Sequence, residues 1–120
     1  MKLLIKMKES QVLKSIENRL EMLKFKGDII WSLRINSGMA RSGSSYIKLA
    51  PAGTPDLCVI VNCGNHIGLL FIEVKRPGVT KLRYEQSEFF KSMEGKPMTL
   101  CVVINDPGQL YQAIDKLKEL

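Results

Sequence analysis

Two carboxylates and a lysine stand at the ends of two apolar runs. Asp56 follows Gly53-Thr54-Pro55 and leads into Cys58-Val59-Ile60-Val61, while Leu69-Leu70-Phe71-Ile72 ends in Glu73-Val74-Lys75. A charge set into an apolar strand is costly unless it is paired or holds a metal, so this pattern points to a site. If the two runs pair as a hairpin across Asn62–Ile67, Asp56 and Glu73 fall at the same open end. Their oxygens could then share one hard divalent cation such as Mg²⁺. Lys75, two residues beyond Glu73, leaves the strand on the same face because side chains alternate.

Two more polar residues lie on apolar helical stripes. The spacing of Val12, Leu13, Ile16, Leu20 and Leu23 predicts a helix from about Lys8 to Phe25. At ~100° per residue, Glu9 falls in the middle of that stripe, unlike Glu17 and Glu21. The plain alternative is that Glu9 only complements the helix dipole from the first turn. A second helix, about Lys81 to Met93 and closed by Gly95 and Pro97, puts Gln86 on a stripe with Leu82, Phe89, Phe90 and Met93. A core-facing amide needs partners. Lys75, a metal site or ordinary backbone groups would each serve.

The remaining elements frame these residues. Ile29–Asn36 reads as a strand, with Ile29, Trp31, Leu33 and Ile35 on one face and Ile30, Ser32, Arg34 and Asn36 on the other. Ser37–Thr54 is rich in Gly, Ser and Ala, carries Arg41 and Lys48, and reads as a long loop with a short strand at Tyr46–Leu49. A basic loop beside a carboxylate cluster suits a phosphate backbone, though a solvated loop has the same composition. The hairpin strands Asp56–Asn62 and Ile67–Lys75 follow, then the second helix, a strand at Met98–Ile104, and a final helix from Gln109 to Leu120. This order predicts an α/β domain with a mixed sheet flanked by helices.

Bulk properties narrow the function. A chain of 120 residues, 45% apolar and 25% charged, is sized for one globular domain, residues 1–120. No apolar run approaches the ~18 residues of a membrane span. Lysines interrupt Leu3-Leu4-Ile5, so Met1–Lys8 does not read as a signal peptide and a cytoplasmic location is expected. Cys58, Cys63 and Cys101 form no C-x-x-C pair, and His66, the one histidine, falls in a turn. Zinc fingers and Cys–His catalysis are thus poorly supported. A net charge of +6 favours a polyanionic partner without specifying a sequence.

Glu9 on a first helix, Gly53-Thr54-Pro55-Asp56, Glu73-Val74-Lys75-Arg76-Pro77-Gly78 and Gln86 together resemble the VRR-NUC nucleases, a branch of the PD-(D/E)XK superfamily. The likeness spans nearly the whole chain and is greatest to small stand-alone members from phages and prophages. The resemblance implies an αβββαβ core with an extra C-terminal helix. It implies that Glu9, Asp56 and Glu73 hold Mg²⁺ or Mn²⁺ together with the Val74 carbonyl, that Lys75 orients or helps activate the attacking water, and that Gln86 positions Lys75 or that water. Where the family often has Ser or Thr followed by Pro at the start of the Gln-bearing helix, this chain has Arg83 and Tyr84. That departure weakens the expected cap and removes no metal ligand.

The expected activity is metal-dependent hydrolysis of DNA phosphodiesters, on branched DNA such as a Holliday junction, by a homodimer whose symmetry suits paired cuts. Arg34, Arg41, Lys48, Arg76, Lys81 and Arg83 are the basic residues expected along the DNA path. Two other readings compete. The fold could be a non-catalytic nucleic-acid-binding module, although a pure binder has no need of clustered acids facing a polyanion. It could also be a structural domain in which Asp56 is a turn residue and Glu73–Lys75 an exposed pair.

Overall fold

A computed structural model of the chain describes residues 7–37 and 39–120, apart from the side chains of Met39, Ala40 and Lys48. The elements run α1 (Glu9–Lys26), β1 (Ile29–Arg34), β2 (Met39–Ser42), β3 (Ser45–Lys48), β4 (Leu57–Asn62), β5 (Ile67–Val74), α2 (Tyr84–Met93), β6 (Thr99–Ile104) and α3 (Gln109–Lys118). Four strands form a mixed sheet in the order β1-β4-β5-β6, and β2 and β3 form a separate ribbon. β1–β4 and β4–β5 are antiparallel, whereas β5–β6 is parallel because the chain crosses over through α2. Among the described residues no helix is long and apolar enough to cross a membrane.

Alternation along β4 and β5 sorts the sheet into two unlike faces. Leu57, Val59, Val61, Leu70, Ile72 and Val74 point to one face and are almost completely buried. α1 covers them with Val12, Leu13, Ile16 and Leu20, and α3 with Leu110, Ala113, Ile114 and Leu117. Among the described residues the other face is covered by α2, whose Phe89 meets Phe71 edge-on with ring centroids 5.1 Å apart. Away from α2 this face stays open, and Trp31 and Leu33 remain half-exposed.

Three expectations are corrected. A β-bulge between Ile29 and Trp31 puts Ile29 into the core with the Ser32 and Arg34 side, so Ile29 does not share a face with Trp31 and Leu33. α2 starts at Tyr84, not near Lys81, so Leu82 precedes the helix and takes no part in its stripe. The stretch Ser37–Thr54 is not a loop with a lone strand at Tyr46–Leu49. It contains a four-residue antiparallel ribbon, with Arg41 opposite Tyr46 and Ala40 opposite Ile47. Gly43, at φ +62°, makes the Gly43–Ser44 turn possible, because a two-residue hairpin loop needs a first central residue with positive φ. The Leu3-Leu4-Ile5 segment lies outside the described residues.

Candidate active site

The two apolar runs pair in the register Leu57↔Ile72, which leaves Asp56 just before β4 and Val74 and Lys75 just beyond the end of that ladder. The strand edge freed there binds the site together. The Val74 N–H donates to Asp56 Oδ2 at 2.7 Å. The Lys75 N–H donates the other way, to the Ile104 carbonyl of β6 at 2.9 Å. Because the intervening trans peptide sets C=O opposite N–H, the Val74 carbonyl points back toward the Asp56 side.

Asp56 is held in place by the turn that precedes it. The Thr54 hydroxyl donates to the Pro51 carbonyl at 2.7 Å, and the Asp56 carbonyl accepts from the Ile35 N–H at 2.7 Å, continuing the β1 ladder. Gly53 has φ +89°, and a Cβ there would lie 2.4 Å from the Glu85 carbonyl oxygen. Only glycine lets this turn lie against the first turn of α2.

Gln86 is the residue that joins the parts. It is the third residue of α2, and its Oε1 accepts from the Arg83 backbone N–H at 2.8 Å, which caps the helix without Ser or Thr. The same oxygen accepts from Lys75 Nζ at 3.0 Å, and Nε2 donates to Glu73 Oε1 at 2.8 Å. Its donors and acceptor leave one orientation of the amide. Glu73 and Lys75 therefore share a partner, as side chains two apart on one strand must if they are to act together.

Glu73 is the exceptional group. It is only 4% exposed, and while Oε1 is held by Gln86, Oε2 is buried with no hydrogen-bond partner among the described residues. Burial pushes its carboxyl up to about 8; the charge and hydrogen-bonding carboxyl of Asp56 and the charge of Glu9 add to this, and Lys75 pulls against them. Two ionised carboxylates offer each other no proton. A shared proton, a hydrogen-bond donor or a cation would satisfy that orphaned oxygen.

Asp56, Glu73, Lys75 and Gln86 line one cavity of about 410 Å³ together with Glu9, Arg76, Val79 and Arg83. Among the described residues no three His, Cys, Asp or Glu side chains converge closely enough to enclose a metal ion. Asp56 and Glu73 make the convergent pair, and Glu9 faces them from the rim. Glu9 is the first residue of α1 and is exposed there rather than sunk into the helix's core stripe. It also lines an adjoining hollow of about 250 Å³ with Arg34 and Asp56. The donor types suit a hard cation: carboxylate oxygens, a carbonyl on the Asp56 side of the strand, and a buried oxygen without a partner among the described residues.

The basic residues divide by position. Arg34, Arg76 and Arg83 line the site's cavities, whereas Lys81 is exposed outside them. Arg41 sits on the ribbon, exposed, and Lys48 occupies the register position opposite Met39 with its side chain outside the described atoms. Val79 and Ser37 also line the site and its neighbouring hollow. They carry no sequence signal, since their place depends on how two irregular segments fold back. A larger cavity, about 720 Å³, lies elsewhere, between the end of α2 and β6. Its lining is mostly apolar and brings together no catalytic set. Cys58 and Cys101 are unpaired and half-buried, and burial pushes the Cys101 thiol up to about 11, so neither is an activated nucleophile. His66 is exposed beside Asn65.

Comparison with known proteins gives no match to a family model, to a curated protein or to a solved structure. The class that fold and site define is a mixed α/β domain with a carboxylate–lysine–glutamine cluster at the open end of its sheet.

Proposed function

We propose that this chain is a divalent-metal-dependent endodeoxyribonuclease of the VRR-NUC type, built on the αβββαβ core of the PD-(D/E)XK superfamily and acting on branched or otherwise structured DNA. The observation that carries the reading is the buried Glu73 carboxylate, fixed at one oxygen by Gln86 and left without a partner at the other beside Asp56. A structural domain gains nothing from such a group, which burial alone makes costly. Asp56, Glu73 and the Val74 carbonyl would hold Mg²⁺ or Mn²⁺, with Glu9 added from the rim of the cavity. Such an ion supplies Lewis-acid polarisation of the phosphoryl group and activation of water.

The chain's own residues supply the rest. Lys75 brings an ammonium to the same cavity, where it offsets phosphate charge and orients the attacking water. Gln86 keeps Lys75 and Glu73 in fixed relation, so neither must reorganise during the reaction. Arg34, Arg76 and Arg83 border the cavity and suit the flanking phosphates. A homodimer would place two such sites for paired cuts in a symmetric junction.

The test is a cleavage panel of linear duplex, flap, fork and four-way junction with Mg²⁺, Mn²⁺ or EDTA. Metal-dependent cleavage lost in Glu73→Gln supports the assignment, and normal turnover by that variant removes it. Binding to DNA with no cleavage under any metal makes the protein the non-catalytic module instead.

A further inference from the structure

The β2–β3 ribbon leaves the sheet at the site and has no account within the site's chemistry. Its feet stand at Asn36–Ser37 and Ala50, joined by the Ala50 N–H to Asn36 carbonyl bond at 3.0 Å, and Ser37 lines a hollow shared with Gly53, Arg83 and Gln86. From there the ribbon extends outward. Among the described residues it has no substantial packing contact with any other element. An isolated two-stranded hairpin is marginal in water, and this one exposes apolar surface on both of its sides: Tyr46 is 68% and Ile47 49% exposed. Arg41 lies directly across from Tyr46, so the two side chains share a face, and Arg41 Nε donates to the Gly43 carbonyl at 3.1 Å.

Charge identifies the partner. Between Asp28 and Asp56 there is no acidic residue, while Arg34, Arg41 and Lys48 fall in that interval. An acid-free, basic, exposed ribbon is complementary to a polyanion and not to a second copy of itself. Its shape selects the form of that polyanion. A two-stranded ribbon fits the ~12 Å major groove of undistorted B-DNA, whereas entering the ~6 Å minor groove would require the duplex to be deformed. At ~3.3 Å per residue, the returning run from Ser44 to Ala50 reaches roughly 20 Å, about six base-pair steps along a duplex.

We infer that the ribbon lies in the major groove of one duplex arm beside the cut site, where Arg41 and Tyr46 lengthen the footprint to about six base pairs on that side. This rests on the nuclease reading. It adds a property that the reading does not require: the site grips one arm by length rather than by the branch point alone.

The experiment measures binding of fluorescein-labelled four-way junctions, in Ca²⁺, with one arm shortened stepwise from about fourteen to four base pairs. Wild-type affinity is expected to fall at least tenfold once the gripped arm drops below about six pairs. Arg41→Ala/Tyr46→Ala is expected to bind long arms at least tenfold more weakly, with a raised KM in Mg²⁺ cleavage, and to lose the dependence on arm length. Methylation of guanine N7 in that arm, which alters only the major groove, should reproduce the wild-type loss. Three outcomes overturn the inference while leaving the nuclease reading intact: wild-type binding indifferent to arm length, a double variant that keeps the dependence, or a change in sedimentation mass in that variant, which would make the ribbon a contact between copies. Absence of metal-dependent cleavage on every DNA removes the nuclease reading itself.

Discussion

The open end of the main sheet and the ribbon beside it are both polar extensions of apolar strands, yet the chain treats them oppositely. At the sheet's end, Glu73 is buried, hydrogen-bonded on one side and tied through Gln86 to both Lys75 and the cap of α2. On the ribbon, Arg41 and Tyr46 are exposed and lean on nothing but each other's strand. Burial fixes geometry at an electrostatic cost, and exposure gives reach at no such cost. Under the proposed function, the difference separates positions where an ångström matters from positions where contact with a long polymer is enough.

Substitution at the buried end should have the largest effect on activity. Glu73→Gln and Asp56→Asn keep shape and remove charge, so single-turnover cleavage should fall by ~10²–10³-fold or more while DNA binding persists. Lys75→Ala should cost about 10²-fold, and raising substrate concentration should not restore it. If instead these variants raise only KM, the sheet end and the ribbon do the same job and the contrast between them collapses.

Glu73 also makes the metal-free protein sensitive to pH. Its carboxyl is raised from 4.5 to about 8 in the folded chain. The unfolded chain thus loses this proton near 4.5 and the folded chain keeps it to about 8. Stability is full below about 4.5 and drains away as pH rises toward 8, by up to ~1.4 kcal/mol per pH unit. Thermal melts in EDTA should show this fall in wild type and a shallower one in Glu73→Gln, whose amide gives the orphaned oxygen's position a donor. At pH 8 the variant should therefore be the more stable protein and the less active one. Adding Mg²⁺ or Mn²⁺ should raise the wild-type Tm at pH 8 and leave that of Glu73→Gln nearly unchanged.

A smaller effect reaches the site through the backbone. Gly53→Ala combines a left-handed φ with a Cβ 2.4 Å from the Glu85 carbonyl oxygen, which should cost roughly 2–3 kcal/mol and lower Tm by about 10 °C. Because the clash is with α2, the displacement carries to Gln86. Cleavage should drop further than the loss of folded protein explains, measured well below the new Tm.

Much of the sheet's end was legible in the sequence because it follows local rules. Apolar runs with charged ends gave the β4–β5 pairing, and the period of two put Glu73 and Lys75 on one side, where Gln86 now bonds both. What could not be read depends on contacts between distant segments. The bulge at Ile29/Trp31 breaks an alternation that looks regular along the chain. The exposure of Glu9 follows from its place as the first residue of α1, and its place in the cavity depends on how that helix end meets the distant Asp56 and Glu73. The ribbon is a different case, since Gly43-Ser44 between two short runs is a hairpin signal. Its flanks lack the apolar alternation that marks a strand packed on a core, because this ribbon packs on none.

That last point yields the smallest expected change, and the one that best separates the two regions. Replacing Met39–Lys48 by a short glycine-containing link should shift the unfolding free energy by no more than about 0.5 kcal/mol, the scale of surface changes away from packed features. The feet at Asn36 and Ala50 still meet, so the Ile35–Asp56 ladder bond has no reason to break. Equilibrium urea unfolding of the shortened chain, monitored by the fluorescence of Trp31, gives both midpoint and slope. An unchanged midpoint means the ribbon is carried by the fold without supporting it, as a contact element should be. A loss of several kcal/mol means that it is part of the core's support. Its exposed Tyr46 and Ile47 would then have to be covered in solution, and the distinction between a buried sheet end and a reaching arm would have to be withdrawn.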